Sequence, residues 1–159
     1  MAAGKPWSVV MMNESVFPDN LIVREFQLAG DYSKVIDLWN HAGPGIHVRQ
    51  SDEPTELEKK IRRDPDLFLI AEYDEQIIGS VLGGFDGRRG MVYHLAVAEE
   101  FRNKGIGARL MNDLEKRMKA KGCIRSYLLV THDNLDAIRF YENTGWEQLD
   151  LAVYGKDLE

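Results

Sequence analysis

The sequence predicts a mixed α/β fold: a central mixed, largely antiparallel sheet of six to seven strands, with about four helices packed on both faces. Three observations carry this. Apolar runs joined by tight polar turns occupy the middle of the chain, as in a strand meander. Segments with apolar residues three and four apart flank them on either side. The resulting order, β-α-α-β-β-β-α-β-α-β, leaves strands too apolar to face water, and helices on both faces of one sheet are the simplest cover.

Each element has its own signal. Residues 21–26 are rich in branched side chains and read as the first strand. Asp31 reads as the N-cap of a helix reaching about Asn40, with Tyr32, Val35, Ile36 and Trp39 on one face. Gly43-Pro44-Gly45 stops it and opens a loop. Ser51 or Asp52 caps a shorter helix through Arg63, and Pro65 blocks its continuation. Residues 67–73 and 76–85, joined by Asp74-Glu75, predict a hairpin. A turn at Asp86-Gly87-Arg88-Arg89 then leads into a third strand over 91–97. Residues 105–121 are helical, with Ile106, Leu110, Leu114 and Met118 at four-residue spacing and Gly122 placed as a C′ glycine. Residues 126–131 read as a short strand, Asn134 starts a last helix that Gly145 ends, and 146–157 hold one or two closing strands. Residues 1–20 show no period and read as a loosely held extension; 21–159 read as a single domain.

Composition narrows the function. At 159 residues and 44% hydrophobic, the chain is the size of one domain with a proper core. A net charge of -6 without a basic block argues against nucleic acid or an anionic membrane as partner. The single cysteine, Cys123, excludes an intramolecular disulfide and a zinc site built on thiolates alone, which suits a reducing, cytoplasmic setting. Cys123 follows Gly122 at a helix exit and reads as a core or strand-start thiol, not a nucleophile. No run approaches the ~20 apolar residues of a membrane span.

The most informative segment is Leu95-Ala96-Val97-Ala98-Glu99-Glu100-Phe101-Arg102-Asn103-Lys104-Gly105-Ile106-Gly107-Ala108. A strand passes through a short loop into a helix across two glycines, beside Arg102 and Lys104. Amide groups at a helix start lack intrahelical partners and lie at the positive end of its dipole. Glycines let an anion approach them, so the segment suits a phosphate. A dinucleotide fingerprint needs a small residue where Leu110 stands, and a P-loop needs Gly-Lys-Ser/Thr, which is absent. By itself, Gly105-Ile106-Gly107 also suits a plain tight turn.

Arg102-Asn103-Lys104-Gly105-Ile106-Gly107 resembles the Arg/Gln-x-x-Gly-x-Gly/Ala signature of the GNAT family of acyl-CoA-dependent N-acetyltransferases. His94-Leu95-Ala96-Val97 is similar to that family's fourth strand, and residues 134–146 resemble its later Asn-x-x-Ala-x-x-x-Tyr-x-x-x-Gly-Phe segment, with Trp146 for Phe. The resemblance spans about residues 21–156 and implies a splayed sheet. It also implies acetyl-CoA as cosubstrate, with no metal. The pyrophosphate would lie on Asn103 to Ala108 beside Arg102, and the pantetheine arm would pair with Leu95, Ala96 and Val97. Asn134 would bond the arm, and a backbone N–H near Val97 would stabilise the oxyanion. Tyr141 would contact the cofactor and act as general acid toward the departing thiolate, after direct attack by an amine in a ternary complex.

The general base stays open in the sequence. Some relatives carry a Glu where this chain has Leu129. Glu72, Tyr93, His94 and Asp133 are the candidates for the base, His94 foremost, and a water chain is equally admissible. The acceptor, a small-molecule or peptide amine, is expected near the irregular loop 43–49, where Asp52, Glu53, Glu56 and Glu58 lend acidity or form an ordinary solvated helix face. A non-catalytic acyl-CoA sensor of the same fold is the alternative. A homodimer is compatible with a domain of this type.

Overall fold

The computed structural model describes residues 20–158. The expected extension over 1–20 therefore lies, Asn20 apart, outside the described residues. The chain forms two compact units, one ending at Leu129 and the other beginning at Val130. None of the described helices is long and apolar enough to cross a membrane.

The first unit carries strands β1 (Leu21–Glu25), β2 (Phe68–Tyr73), β3 (Gln76–Phe85), β4 (Gly90–Val97) and β5 (Ser126–Leu128), with helices α1 (Leu28–Asn40), α2 (Pro54–Arg63) and α3 (Ile106–Ala120). They form one sheet in the order β1-β2-β3-β4-β5. The first three pairings are antiparallel and β4 with β5 is parallel, so the sheet is mixed and largely antiparallel as expected. The hairpin closes with Asp74 and Glu75 both at positive φ, the geometry a two-residue turn requires.

The strand number differs from the expected six to seven: the described residues contain five. Leu149, Leu151 and Val153 alternate as strand residues would, but they are exposed, and the one backbone bond there is local, from Leu151 N–H to Leu149 O. A strand exists only by pairing, and period alone does not supply a partner. Likewise β5 stops at Leu128 instead of 131.

Helix α1 also begins earlier than expected, with Gln27 as N-cap and Asp31 inside the helix. Asp31 still satisfies the start of the helix, by accepting the Gln27 N–H at 2.8 Å from one turn within. Helix α2 has Pro54 at its first turn and Glu53 as N-cap, while residues Gln50–Asp52 form a separate 3-10 turn.

Side chains alternate along β3, which puts α1 and α3 on opposite faces. Ser80 accepts the Trp39 indole N–H from α1 at 2.9 Å. Gly79 and Gly83 lie under α3: a Cβ at Gly83 would come within 2.7 Å of Leu114 Cδ1. On the α1 side, Val35, Leu38, Trp39 and Leu57 pack on Phe26, Phe68 and Ile70. Buried Ile106, Leu110 and Leu114 seat α3 on the other face.

The second unit contains α4 (Leu135–Asn143), capped by Asn134 and followed by Gly145 at φ 92°.

Candidate functional site

Strand β4 is irregular in two ways, and both matter. Its pairing with β5 covers only Gly90, Met91 and Val92, ending at Val92↔Leu128, whereas β4 runs on to Val97 beside β3. Past Val92 that edge of β4 therefore pairs with no strand among the described residues. Second, Ser80 faces Ala96 while Leu82 faces Tyr93, so His94 and Leu95 stand opposite Val81 alone. This is a β-bulge, the device that re-aims side chains where a strand carries function.

The open edge has the polarity an extended ligand needs. Ala98 N–H bonds to Ile78 O at 2.8 Å, so alternation turns the Val97 N–H away from β3. Beyond β4, a 3-10 turn at Glu99–Phe101 leads through Asn103 (φ 58°) and Gly105 (φ 82°) into α3. Gly105 favours that left-handed conformation because it has no Cβ. It caps α3 without a side-chain bond, and the first intrahelical bond runs from Arg109 N–H to Gly105 O. The amides of Ile106, Gly107 and Ala108 thus stand at the positive end of the helix with no intrahelical acceptor.

Leu95, Ala96, Val97, Asn103, Lys104, Gly105, Ile106, Gly107 and Ala108 thus form one path, from the open strand edge to the amide turn. Arg102 also braces the end of the strand. Its guanidinium donates to Val97 O at 3.0 Å and to Ala42 O at 2.8 Å, tying the end of β4 to the chain after α1. Cys123 lies at the other end of β4: its sulfur would be 2.9 Å from a Cβ on Gly90, about 23 Å of strand from Val97.

The bulge also places adjacent residues on one face. Tyr93 lies beside Lys60 and Asp64 around Gly84, on the α2 side. His94 lies against Trp39 of α1, ring centroids 4.6 Å apart, and its Nε2 meets Asp52 Oδ1 at 3.1 Å and Oδ2 at 3.2 Å. Burial, aided by Asp64, pushes the Tyr93 phenol up. Burial pulls the Lys60 ammonium down although Asp64, 2.6 Å away, opposes it. Glu72 is engaged by Arg24 at 2.7 Å. Glu56 and Glu58 pair with Lys59 and Arg62, so the solvated-face reading holds for those two carboxylates. The sequence marks Asp52 as a candidate helix cap and as part of an acidic neighbourhood, not as a partner of His94, which lies 42 residues away, beyond the reach of any local spacing rule.

In the second unit, Asn134 accepts the Ala137 N–H at 3.3 Å, which leaves its amide hydrogens for other acceptors. Tyr141 packs edge-on to Phe140 and Trp146. Burial pushes its phenol up to about 12, so the hydroxyl stays protonated at neutral pH.

Comparisons with known proteins agree with this geometry. The family model described as "Acetyltransferase (GNAT) family" matches residues 32–146, across the boundary between the two units. An acetyltransferase of Pectobacterium atrosepticum is 41% identical over 128 residues, covering 80% of this chain and 89% of that protein. An acetyltransferase of Yersinia enterocolitica is 39% identical, covering 86% and 94%. The PaiA N-acetyltransferase of Thermoplasma acidophilum, solved in complex with coenzyme A, superposes with a TM-score of 0.71 at 23% identity, covering 83% of this chain and 92% of that one. With a fourth strand that runs on past its β5 pairing into an amide-lined turn, and with relatives of this closeness, the chain belongs to the GNAT family and is an acetyl-CoA-dependent acetyltransferase.

Proposed function

We propose that this enzyme moves the acetyl group of acetyl-CoA to a primary amine of a small molecule or peptide, by direct attack in a ternary complex. The observation that carries the reading is the open edge of β4 between Tyr93 and Val97, continuous with the amides of Ile106, Gly107 and Ala108. An extended amide-bearing arm can pair with that edge, and a pyrophosphate can take the amides at the helix start. The coenzyme A bound in the Thermoplasma neighbour supports the same use of the fold. Residues 21–159 act as one catalytic domain in this reading, and the family match across both units supports it.

Within it, the Val97 N–H stabilises the developing oxyanion, and Asn134 holds the pantetheine arm. Tyr141 protonates the departing thiolate. Its phenol is suited to this because it keeps its proton until well above neutral pH. Replacing it by phenylalanine is expected to lower turnover by roughly 10²–10⁴-fold while acetyl-CoA affinity stays within about twofold. Lost affinity with normal turnover at saturation would remove the role.

Calorimetric titration with acetyl-CoA, CoA and NAD, repeated on Gly107→Glu, tests the cofactor site. Binding of acetyl-CoA but not NAD, abolished by the carboxylate at 107, is expected. A screen of polyamine, aminoglycoside and peptide N-terminal amines follows, read as CoA release. A protein that binds acetyl-CoA but acetylates none of them would fit the non-catalytic sensor instead.

A further inference from the structure

We infer that Asp52 and His94 form a proton-accepting pair for the incoming amine, with His94 Nδ1 as the general base and Asp52 as its positioning residue. The proposal rests on the primary-amine reading above. Asp52 is 3% exposed, and its Oδ2 already accepts the Arg49 N–H at 2.9 Å. A carboxylate only accepts, so the imidazole nitrogen facing it, Nε2, must carry the hydrogen. In the neutral ring Nδ1 is then the nitrogen with the free lone pair, and among the described residues the ring's hydrogen bonds all run through Nε2. The His94 side chain keeps 23% of its surface in contact with solvent, so the ring is not sealed inside the core.

Its location fits the task. His94 sits in the bulge, within the stretch of β4 that has left β5, next to Leu95 on the edge read as the thioester's path. It projects toward α1 and the 3-10 turn at 50–52, which border the irregular loop 43–49. The other candidates of the first unit are less suited. Glu72 is committed to Arg24, and the Tyr93 phenol is pushed away from accepting service at neutral pH.

The chemistry balances. An ammonium acceptor gives one proton to His94 Nδ1, directly or through a water, and the imidazolium is held by Asp52. The free amine forms the C–N bond, the C–S bond breaks, and the thiolate takes the Tyr141 proton. The second amine proton restores the phenol, and His94 returns its proton to solvent. Amide, CoA thiol and one proton result.

Two measurements on the full chain test this. The first is the ¹⁵N imidazole spectrum of His94, expected to show the Nε2–H tautomer in the wild type and a shift toward Nδ1–H in Asp52→Asn. A wild-type Nδ1–H tautomer overturns the pair, whatever the acceptor. The second compares acetyl transfer to n-butylamine, which is protonated at pH 7, with transfer to methoxyamine, which is not. His94→Gln is expected to lose about 100-fold in kcat/KM for butylamine and less than about threefold for methoxyamine, and Asp52→Asn roughly tenfold for butylamine alone. Equal losses on both amines, or none, overturn the proposal. A wild type that binds acetyl-CoA but acetylates neither of these amines nor any amine of the screen above fails the primary-amine reading instead, and the tautomer then decides the pair.

Discussion

Asp31 and Asp52 are built alike and partnered differently. Both are buried, at 4% and 3% exposure. Each accepts a backbone N–H from just upstream, Asp31 from Gln27 at 2.8 Å and Asp52 from Arg49 at 2.9 Å, and so secures the start of a helical turn. Asp31 then meets Arg24 at 2.7 and 2.9 Å, and Arg24 also reaches Glu72. Asp52 meets His94. An arginine never gives up its proton at accessible pH, so the first cluster is a fixed staple that joins β1, β2 and α1 at the β1 end of the sheet. A neutral imidazole has a lone pair that can take up a proton, which a guanidinium lacks, so the second pair is the one fitted to the proposed relay. The proton affinity of the partner separates scaffold from chemistry.

The largest change in stability should come from breaking the staple. Arg24→Ala leaves two carboxylates, one of them buried, without their cation. Removing one member of a buried pair costs about 3–5 kcal/mol, and Arg24 retains 31% exposure, so about 3 kcal/mol is expected. Urea unfolding measures it. kcat/KM, assayed where the variant is folded, should stay within about twofold. A comparable loss of kcat/KM would mean that both carboxylates serve the reaction, and the contrast would vanish.

A smaller loss should follow Trp39→Phe, which acts on the relay side. The indole is buried, donates to Ser80 and flanks His94. Phenylalanine keeps most of the ring but leaves the buried Ser80 hydroxyl without its donor, at about 2 kcal/mol. Butylamine transfer should fall along with stability, because His94 loses the wall that orients it. Intact transfer would show that Asp52 alone fixes the imidazole.

How far this contrast could be read in the sequence depends on the range of each cause. The hairpin at Asp74-Glu75, the period of α3 with its Gly122 stop, and the Gly105-Ile106-Gly107 turn are local, and local residues announced them. Asp31 was noticed as a helix starter but misplaced by one turn, because a carboxylate can satisfy the first amides from inside the helix as well as from the cap. The bulge at His94-Leu95 adds one residue to one strand, which no apolar pattern reveals. The Asp52–His94 and Arg24–Glu72 contacts join residues 42 and 48 apart, and only the fold brings them together. At 146–158 the error runs the other way: a strand period is present, but no pairing is found among the described residues.

Asp31→Asn sharpens the staple with an expected cost of about 1 kcal/mol at neutral pH, since Arg24 keeps Glu72. The informative variable is pH. The Arg24 guanidinium holds the Asp31 carboxyl below its ordinary range, against the opposing pull of burial. A carboxyl with a depressed folded-state pKa contributes stability that is present above its unfolded value, near 3.9, and is lost as pH falls through the folded value. The difference between wild type and Asp31→Asn should therefore be constant from about pH 5 upward and shrink as the solution is acidified below about pH 4. A difference that persists undiminished in acid would assign the cost to packing and not to charge.

The smallest change in stability, and the most pointed comparison, should come from giving Asp52 the partner that Asp31 has. His94→Arg places a permanent cation beside a buried carboxylate whose geometry already accepts donors on both oxygens. The 23% exposure of the His94 side chain lets the longer stem reach solvent, so unfolding free energy should move by less than about 0.5 kcal/mol. Acetyl-CoA binding should persist, because the amide turn at Gly105 is untouched. Butylamine transfer should nevertheless fall about 100-fold, as in His94→Gln, because a guanidinium cannot take a proton from the amine. Methoxyamine, already neutral, should be acetylated nearly as before. Should the arginine variant acetylate butylamine at the wild-type rate, Asp52 and His94 are a second staple, and the amine must lose its proton to water.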